Sequence, residues 1–349
     1  MDQQALPTPR DKLLNLQILR FIAAFGVLAS HAAALTLPRG SWFWLFPWTA
    51  GVDIFFVISG VIMTILTDGR FGRPGAARQF LTRRIIRIVP IYWLFTALMI
   101  ATVILLPGQV RNSQADGASI VTSLLFVPWA RGDGQIVPIL AQGWTLNYEA
   151  FFYLAFALAL LHRRGLALLA AGFIVLAMLH AAIPQGIVAV HFWSDPIILE
   201  FVAGIALAKL WLGGVRLRPA TSAMLAAASL LLFATAEPIG LHLFGRMVAN
   251  GVPAAMLCAA FLFATEPSAP GPLRRAFAAG GDASYALYLS HTFTINAVVL
   301  AIGGFVAGWL MMAIAIAAAI AASIVVHRLV ERPMLRALHR RVAADRDGG

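Results

Sequence analysis

Apolar stretches of about 20 residues recur from residue 14 to residue 330, separated by short segments rich in Arg, Gly and Pro. A helix of about 20 apolar residues crosses a bilayer's hydrocarbon core, which is roughly 30 Å thick. The 349 residues are 60% hydrophobic and 12% charged, against roughly 25% charged in an ordinary soluble protein. The sequence therefore excludes a soluble globule and predicts an integral membrane protein.

Ten of these stretches are predicted as membrane spans, so the expected fold class is all-α, a polytopic membrane protein with about ten transmembrane helices. The spans are approximately residues 14–35, 48–67, 88–106, 143–161, 165–183, 196–212, 220–236, 247–264, 284–303 and 306–329. The apolar segment Ser119 to Trp129 is too short to span, and we interpret it as re-entrant or interfacial. Counting it as a span would invert the orientation of everything after it.

The basic residues indicate the orientation. With the N-terminus inside, 22 of the 26 Lys and Arg residues fall in predicted cytoplasmic segments. The exceptions are Arg39, Arg111, Arg131 and Arg246. The positive-inside rule predicts this asymmetry, which favours ten spans with both termini cytoplasmic. In such an apolar chain the net charge of +11 points to the bilayer and not to nucleic acid.

The chain divides into three predicted regions. Residues 1–13 form a cytoplasmic N-terminal segment, residues 14–330 the membrane domain, and residues 331–349 a basic cytoplasmic tail that can lie on anionic headgroups. An alternative reads the start as a signal peptide cleaved near Ala32, but the apolar run is as long as a span. Because Cys258 is the single cysteine, neither a disulfide within one chain nor a cysteine-based metal site is expected.

Ionisable residues inside spans are candidate functional residues, because burying them in hydrocarbon costs about 2.5 to 3.5 kcal/mol each. Arg20 and His31 lie on the first span. Eleven helical steps of about 100° bring both to one face, about 16 Å apart along the axis. Arg20 is expected near the cytoplasmic end and His31 in the extracytoplasmic half. The alternatives are that Arg20 snorkels to headgroups and that His31 bonds a backbone carbonyl.

Two carboxylates begin spans on the side where His31 is predicted. Asp53 starts the second span and Glu149 lies near the start of the fourth. A carboxylate on one imidazole nitrogen fixes the tautomer and raises the basicity of the other nitrogen, as a general base acting on a hydroxyl requires. The alternative for each is a structural hydrogen bond between spans. Glu200, followed by Gly204, is interpreted as a satisfied carboxylate at a close helix contact.

Further polar residues are predicted towards the cytoplasmic side. Arg84 and Arg87, three residues apart, share a helix face and with Arg20 can form a guanidinium site for phosphates. Arginines also collect in cytoplasmic loops for topology alone. On the ninth span, Tyr285 and His291 recur with Tyr288 at a spacing of three, which indicates a polar face.

These residues resemble the motifs of the membrane acyltransferase-3 family. Five motifs stand in the family's order: Arg20 with His31, Gly51 to Gly60, Arg84 with Arg87, Gly143 to Tyr153, and Ser284 to His291. The closing Glu331-Arg332-Pro333 also fits. Many relatives open with Leu-Asp-Gly-Leu-Arg, whereas Leu16 to Arg20 here is similar to the exopolysaccharide-modifying branch. Many also carry a hydrolase-like domain, and a stand-alone form without it is expected here.

The resemblance implies an O-acyltransferase that moves an acyl group, with acetyl expected, from acyl-CoA to a hydroxyl of a cell-surface or exported glycan. His31 would act as general base or carry the acyl group, with Glu149 or Asp53 orienting it. Arg20, Arg84 and Arg87 would hold the acyl-CoA phosphates, with Tyr285 and His291 completing the donor site. Acyl-CoA would be a co-substrate, and no metal is expected.

Two other functions are weighed against acyl transfer. One is a proton-coupled transporter or flippase of a lipid-linked glycan or small metabolite, using the ionisable residues as a relay. The other is an assembly subunit of a polysaccharide export complex. The lack of an evident inverted repeat and the inward-facing arginines argue against transport. The expected location is a bacterial inner membrane. The expected partners are the lipid bilayer and a glycan or lipid-linked glycan acceptor, with a polysaccharide biosynthesis complex or a homo-oligomer also open.

Overall fold

The computed structural model describes residues 13–106, 116–265 and 269–347. Most of the predicted N-terminal segment, including Arg10 and Lys12, lies outside these residues, as does Arg111. Within the described ranges the chain is helical and forms no strand, which confirms the all-α class. Two isolated β-bridges link Ala130 with Ile136 and Leu217 with Ala264.

The α-helices follow the apolar stretches of the sequence. They are α1 (Leu14–Thr36), α2 (Gly51–Leu66), α3 (Ala76–Leu105), α4 (Gly117–Leu124), α5 (Trp144–Ala159), α6 (Gly165–Met178), α7 (Val188–Trp193), α8 (Leu199–Leu212), α9 (Pro219–Thr235), α10 (Val252–Phe263), α11 (Pro272–Asp282), α12 (Ser284–Ile302), α13 (Gly308–Val326) and α14 (Arg332–Asp347). Each of the ten predicted spans coincides with one of these helices. Whether each crosses a membrane is a separate question of length and composition.

Among the described residues, five helical segments are long and apolar enough to cross a membrane. They are Leu14–Thr36, Trp48–Leu66, Ala76–Leu105, Ser284–Ile302 and Gly308–Arg340. Three further apolar helices are shorter, namely Gly165–Met178, Pro219–Thr235 and Met247–Phe263. The membrane character is thus supported, and the count of ten spans stays a prediction. Large apolar side chains such as Leu158, Met224 and Leu310 are exposed on the outer surface, where a bilayer would cover them.

Some boundaries differ from the prediction for local reasons. Helix α3 starts at Ala76, a full twelve residues before the predicted span at 88, because Gly75 ends the preceding turn with a positive φ of 75° and the arginine-rich segment then continues the helix. The segment Ser119 to Trp129 contributes only the last turns of α4, a helix of 8 residues. The basic tail is helical from Arg332.

Side-chain contacts give the relative directions of the helices. Helices α1 and α12 run parallel, because Arg20 contacts Ser284 at one level and His31 contacts His291 further along both helices. Helix α3 runs parallel to α12, since Tyr285 bonds the carbonyl of Ile88 and the Phe95 and Phe293 rings lie 5.7 Å apart. Parallel neighbours are what the predicted alternation requires of the first, third and ninth spans.

Helices α2 and α8 pack with their backbones in direct contact. A Cβ atom on Gly60 would overlap the carbonyl oxygen of Phe201, and one on Gly204 would overlap that of Val57. Small residues allow this approach, which packs helices closely inside membranes. The predicted close helix contact at Gly204 is therefore confirmed.

Candidate functional site

Two imidazole rings meet inside the bundle, where α1 and α12 pack side by side. The ring centroids of His31 and His291 lie 4.8 Å apart at an interplanar angle of 69°. The Nδ1 atom of His31 is 2.9 Å from the carbonyl oxygen of Val27, and that of His291 is 3.1 Å from that of Leu287. Because a carbonyl can only accept, each Nδ1 is assigned as the protonated nitrogen of a neutral ring. Each Nε2 then carries the lone pair.

The pair is largely enclosed by protein. His291 is 1% exposed, and its buried Nε2 has no hydrogen-bond partner among the residues that the structure describes. A buried nitrogen with a free lone pair is a site where a hydroxyl or another donor can bind at little conformational cost.

Neither predicted carboxylate hydrogen bonds His31 within the described part of the chain. Both carboxylate oxygens of Asp53 accept from Arg246, at 2.9 Å from Nε and 2.8 Å from Nη2. The Nδ1 atom of His31 faces the Val27 carbonyl, which is the backbone-carbonyl contact given as the alternative for His31 from the sequence. The expectation that Asp53 or Glu149 directly orients His31 is therefore corrected, because each side chain points towards another helix.

Glu149 belongs to the basic group instead. Its Oε1 atom accepts from Ser59 Oγ at 3.2 Å and from the hydroxyl of Tyr153, one helical turn further along α5. The guanidinium carbon of Arg84 lies 6.0 Å from the Tyr153 ring centroid. Glu149 is also within electrostatic range of both Arg84 and Arg20. This carboxylate thus balances part of the charge of the arginines.

The three arginines predicted to bind phosphates come together. Arg87 lies within electrostatic range of both Arg20 and Arg84. Arg20 donates to Gln17 Oε1 at 3.1 Å and to Ser284 Oγ at 2.9 Å. Within the described ranges of the chain, the buried Nε atom of Arg84 has no hydrogen-bond partner. A group of positive charges with an unused N–H donor, the Nε of Arg84, suits an anionic ligand. We call Arg20, Arg84, Arg87 and Glu149 the guanidinium cluster.

The polar face predicted on α12 divides between three neighbours. Tyr285 donates to the carbonyl of Ile88 on α3 at 3.0 Å, so it packs beside the helix that carries Arg84. Tyr288 donates to the carbonyl of Gln142 at 2.7 Å and lies 2.7 Å from Thr145 Oγ1. His291 lies with His31 and not with the guanidinium cluster, although the sequence assigned it to the donor site.

Several contacting residues were not singled out from the sequence. Gln142 bridges the Leu289 carbonyl and Thr292 Oγ1, at 3.2 Å and 3.0 Å, beside His291 on α12. Gln142 directly precedes the motif that starts at Gly143, and Ser59 lies within the motif from Gly51 to Gly60. The position of both residues beside or inside a motif was thus a signal in the sequence. For Arg246 there was no such signal, because nothing near it in the sequence indicates that its buried partner is Asp53, 193 positions away.

Glu200 is fully buried beside Asp53 and Arg246. Its interpretation as a satisfied carboxylate stays a prediction. Among the described residues, no group of three or more His, Cys, Asp or Glu side chains is placed to hold a metal ion.

The fold and the site define a helical membrane protein with ionisable side chains in its interior. A family model described as an acyltransferase domain matches residues 13–328. The chain therefore belongs to the acyltransferase-3 family of membrane proteins, which confirms the resemblance carried by the motifs.

A curated relative agrees with this assignment. The chain is 38% identical over 306 residues to the exopolysaccharide production protein ExoZ of Rhizobium meliloti (strain 1021). The match covers 84% of this chain and 92% of the relative. No solved structure matches the chain significantly.

Proposed function

We propose that this protein is an inner-membrane O-acyltransferase that moves an acyl group, with acetyl expected, from cytoplasmic acyl-CoA to a hydroxyl of an exported polysaccharide. One observation carries the proposal. The same two helices, α1 and α12, hold the His31–His291 imidazole pair at one level and the Arg20–Ser284 contact of the guanidinium cluster at another. A base and an anion site on adjoining levels are what a reaction between a thioester of CoA and an alcohol needs.

The donor binds with its phosphates at the guanidinium cluster. Bidentate guanidinium groups suit phosphate geometry and charge. Tyr285 lies against α3 next to this cluster and contributes a wall of the donor site. Because CoA is made in the cytoplasm, this end of the bundle faces inward, which agrees with the arginine asymmetry of the sequence. The pantetheine arm then carries the thioester along α1 towards His31.

His31 acts at the reacting carbon. In one route its Nε2 takes the proton of the sugar hydroxyl, whose oxygen forms the ester bond as the thioester C–S bond breaks, and the CoA thiolate receives the proton. In the other route Nε2 attacks the thioester carbon, and the CoA thiolate leaves as the C–S bond breaks. The sugar hydroxyl then attacks this acyl group, its oxygen forms the ester bond as the bond from Nε2 to the acyl carbon breaks, and its proton passes to the thiolate. His291 packs against His31 and limits the orientations of its ring. Both routes use the same free lone pair.

The acceptor is assigned by similarity. The relative in Rhizobium meliloti is named for exopolysaccharide production, and a glycan hydroxyl on the outer side is the corresponding substrate class here. Ten spans with both termini in the cytoplasm would place the imidazole pair nearer the outer side. A polysaccharide biosynthesis complex or a second copy of the chain are the partners we propose beside the bilayer.

The experiment uses the purified full chain in liposomes with radiolabelled acetyl-CoA and exopolysaccharide. We expect label in the glycan, and we expect His31→Ala to lower the rate about 10²- to 10⁴-fold, the usual contribution of a general base. His339→Ala, which alters an exposed histidine on α14, should leave the rate unchanged. Unmodified glycan that crosses the membrane would instead favour the transporter. If the glycan is neither labelled nor moved across the membrane, the assembly subunit is favoured.

The two routes separate when the donor is supplied alone. Label that stays on wild-type protein but not on His31→Ala supports the acyl-carrier route. No retained label, with full transfer once glycan is added, supports the general-base route. Wild-type rates in His31→Ala at equal protein level would overturn the assignment of His31.

A further inference from the structure

A cavity of about 210 Å³ lies between α1, α11, α12, α13 and α14, outside the set of predicted site residues. Its inner wall is apolar and includes Phe21, Leu287, Ile320 and Ile324. Helix α11 forms one side with small residues, because it packs closely on α1: a Cβ atom on Gly280 would overlap the ring of Phe21. The cavity therefore offers apolar side chains against which a ring or a short chain can pack.

The cavity also has polar and charged lining residues. They are Asp282, Ser323, His327, Arg328 and Arg332. Arg328 and Arg332 are four residues apart, so their side chains share a helix face. The two guanidinium groups of this lining outnumber its one carboxylate, that of Asp282, while the His327 imidazole is paired with the Glu331 carboxylate at 2.6 Å. An anionic group is the ligand that this lining favours.

The backbone here departs from regular helix. His327 to Glu331 form a π-helical turn between α13 and α14. The Nδ1 atom of His327 lies 2.6 Å from Oε2 of Glu331, whose side chain is 1% exposed. Such turns are rare and occur frequently at functional sites. The turn and its buried pair hold His327 and Arg328 at the cavity in a fixed arrangement.

Arg20 connects this cavity with the guanidinium cluster. It lies within electrostatic range of Asp282, which lines the cavity, and of Glu331, which is paired with His327 of the lining. It is also within electrostatic range of Arg87 and Glu149, which belong to the cluster. Helix α14, which carries Arg332, also contacts α3. A ligand seated in the cavity therefore has a second anion-binding group beside it, in the direction of α3.

We propose that this cavity binds the phosphorylated nucleoside end of the acyl-CoA donor. This inference rests on the proposed function and adds a second subsite to it. Arg328 and Arg332 take the ribose phosphate, Asp282 takes the free ribose hydroxyl, and the apolar wall takes the adenine ring. The pairing follows chemistry known from dinucleotide sites, where carboxylates accept ribose hydroxyls and arginines accept ribose phosphates. The diphosphate of the donor then lies at the guanidinium cluster, whose member Arg20 is within electrostatic range of the cavity residue Asp282.

The test compares acetyl-CoA with acetyl-dephospho-CoA, which lacks only the ribose phosphate, using the purified full chain in zwitterionic nanodiscs. We expect a lower KM for acetyl-CoA in the wild type. Arg332→Gln should raise that KM roughly tenfold to a hundredfold, the range for losing one charged hydrogen bond, while kcat and the KM for acetyl-dephospho-CoA stay constant. Arg336→Gln, one turn along α14 and outside the cavity lining, is the matched control and should change neither KM.

A measurement on the wild type alone protects the test against misfolding of the variant. Adenosine 3′,5′-bisphosphate should compete with acetyl-CoA more strongly than adenosine 5′-monophosphate does. Equal competition, or equal KM values for the two donors, would overturn the subsite while leaving the acyltransferase activity in place.

An anionic lipid headgroup offers the same phosphate chemistry. If it is the occupant, phosphatidylglycerol in the nanodiscs will raise the KM for both donors equally, which also overturns the proposal. Transfer from neither donor would instead remove the proposed function and this inference with it.

Discussion

Asp53 and Arg246 form an ion pair whose two members have unequal access to water. Asp53 is fully buried, whereas 37% of the Arg246 side chain is exposed, and its guanidinium carbon lies 5.7 Å from the ring centroid of Trp144. The pair joins the start of α2 to the residue just before the helix that ends at Phe263. The stability lost on breaking this pair therefore depends on which partner is removed, because only Arg246 can turn toward solvent when left alone.

Removing Arg246 should destabilise the protein more than neutralising Asp53. Arg246→Ala leaves an uncompensated buried carboxylate, a situation that costs about 3 to 5 kcal/mol. Asp53→Asn leaves a guanidinium group that water can reach, so a smaller loss is expected. Thermal denaturation of the purified protein should rank Tm as wild type, then Asp53→Asn, then Arg246→Ala. Asp68→Asn, in the exposed pair with Lys209, is the control and should leave Tm nearly unchanged. A larger Tm loss in Asp53→Asn than in Arg246→Ala would contradict this ranking.

The partners of these carboxylates could not be predicted from the sequence. Asp53 and Glu149 both start helices near the predicted level of His31, so sequence spacing alone allows either to reach it. The rotation of α2 and α5 about their own axes decides the outcome, and it directs Asp53 to Arg246 and Glu149 to Ser59. By contrast, the shared face of Arg20 and His31 followed from helical geometry within a single element, and both side chains do contact α12.

At the scale of the helices, position was predictable and packing was not. The long apolar runs located the helices within a few residues, because a spanning segment must satisfy its backbone hydrogen bonds internally. Most of these helices are apolar on every side, so their sequences carry little information about which side meets another helix. The contact of α2 with α8 was indicated only where Gly204 follows Glu200.

The contact between α2 and α8 can be tested at its glycines. Gly60→Ala should lower Tm, because the added Cβ overlaps the Phe201 carbonyl and forces two packed backbones apart. Gly172→Ala on α6 is the matched control, since nothing lies within 4 Å of the new Cβ. Alanine stabilises a helix interior relative to glycine by roughly 0.5 to 1 kcal/mol, so that variant should be as stable as wild type or slightly more. Equal Tm values for Gly60→Ala and Gly172→Ala would show that the helices are not in backbone contact.

In the whole molecule, the two ends of the bundle differ in chemistry. At one end, the ring of Trp42 from the α1–α2 connection stacks on Trp309 at the start of α13, with centroids 4.8 Å apart. At the other end lie Arg20, Asp282 and Glu331. Aromatic rings of this kind favour a membrane–water interface, and clustered arginines favour the cytoplasmic side. The two ends thus agree with the orientation inferred from the basic residues alone.

Orientation and span count can be tested together with two cysteine variants. Leu45 precedes α2 and Leu273 starts α11, and their exposed fractions of 73% and 71% make both accessible to a reagent. The native Cys258 is fully buried, so it gives little background. A membrane-impermeant maleimide should label Leu45→Cys in intact cells and Leu273→Cys only after permeabilisation. The reason is that seven spans, an odd number, are predicted between the two positions, so the two lie on opposite sides of the membrane.

If the segment Ser119 to Trp129 also crosses the membrane, Leu273→Cys will react in intact cells while Leu45→Cys behaves as before. That result would place the tail outside, move the cavity of α11 and α14 away from cytoplasmic acyl-CoA, and contradict the donor subsite proposed for it.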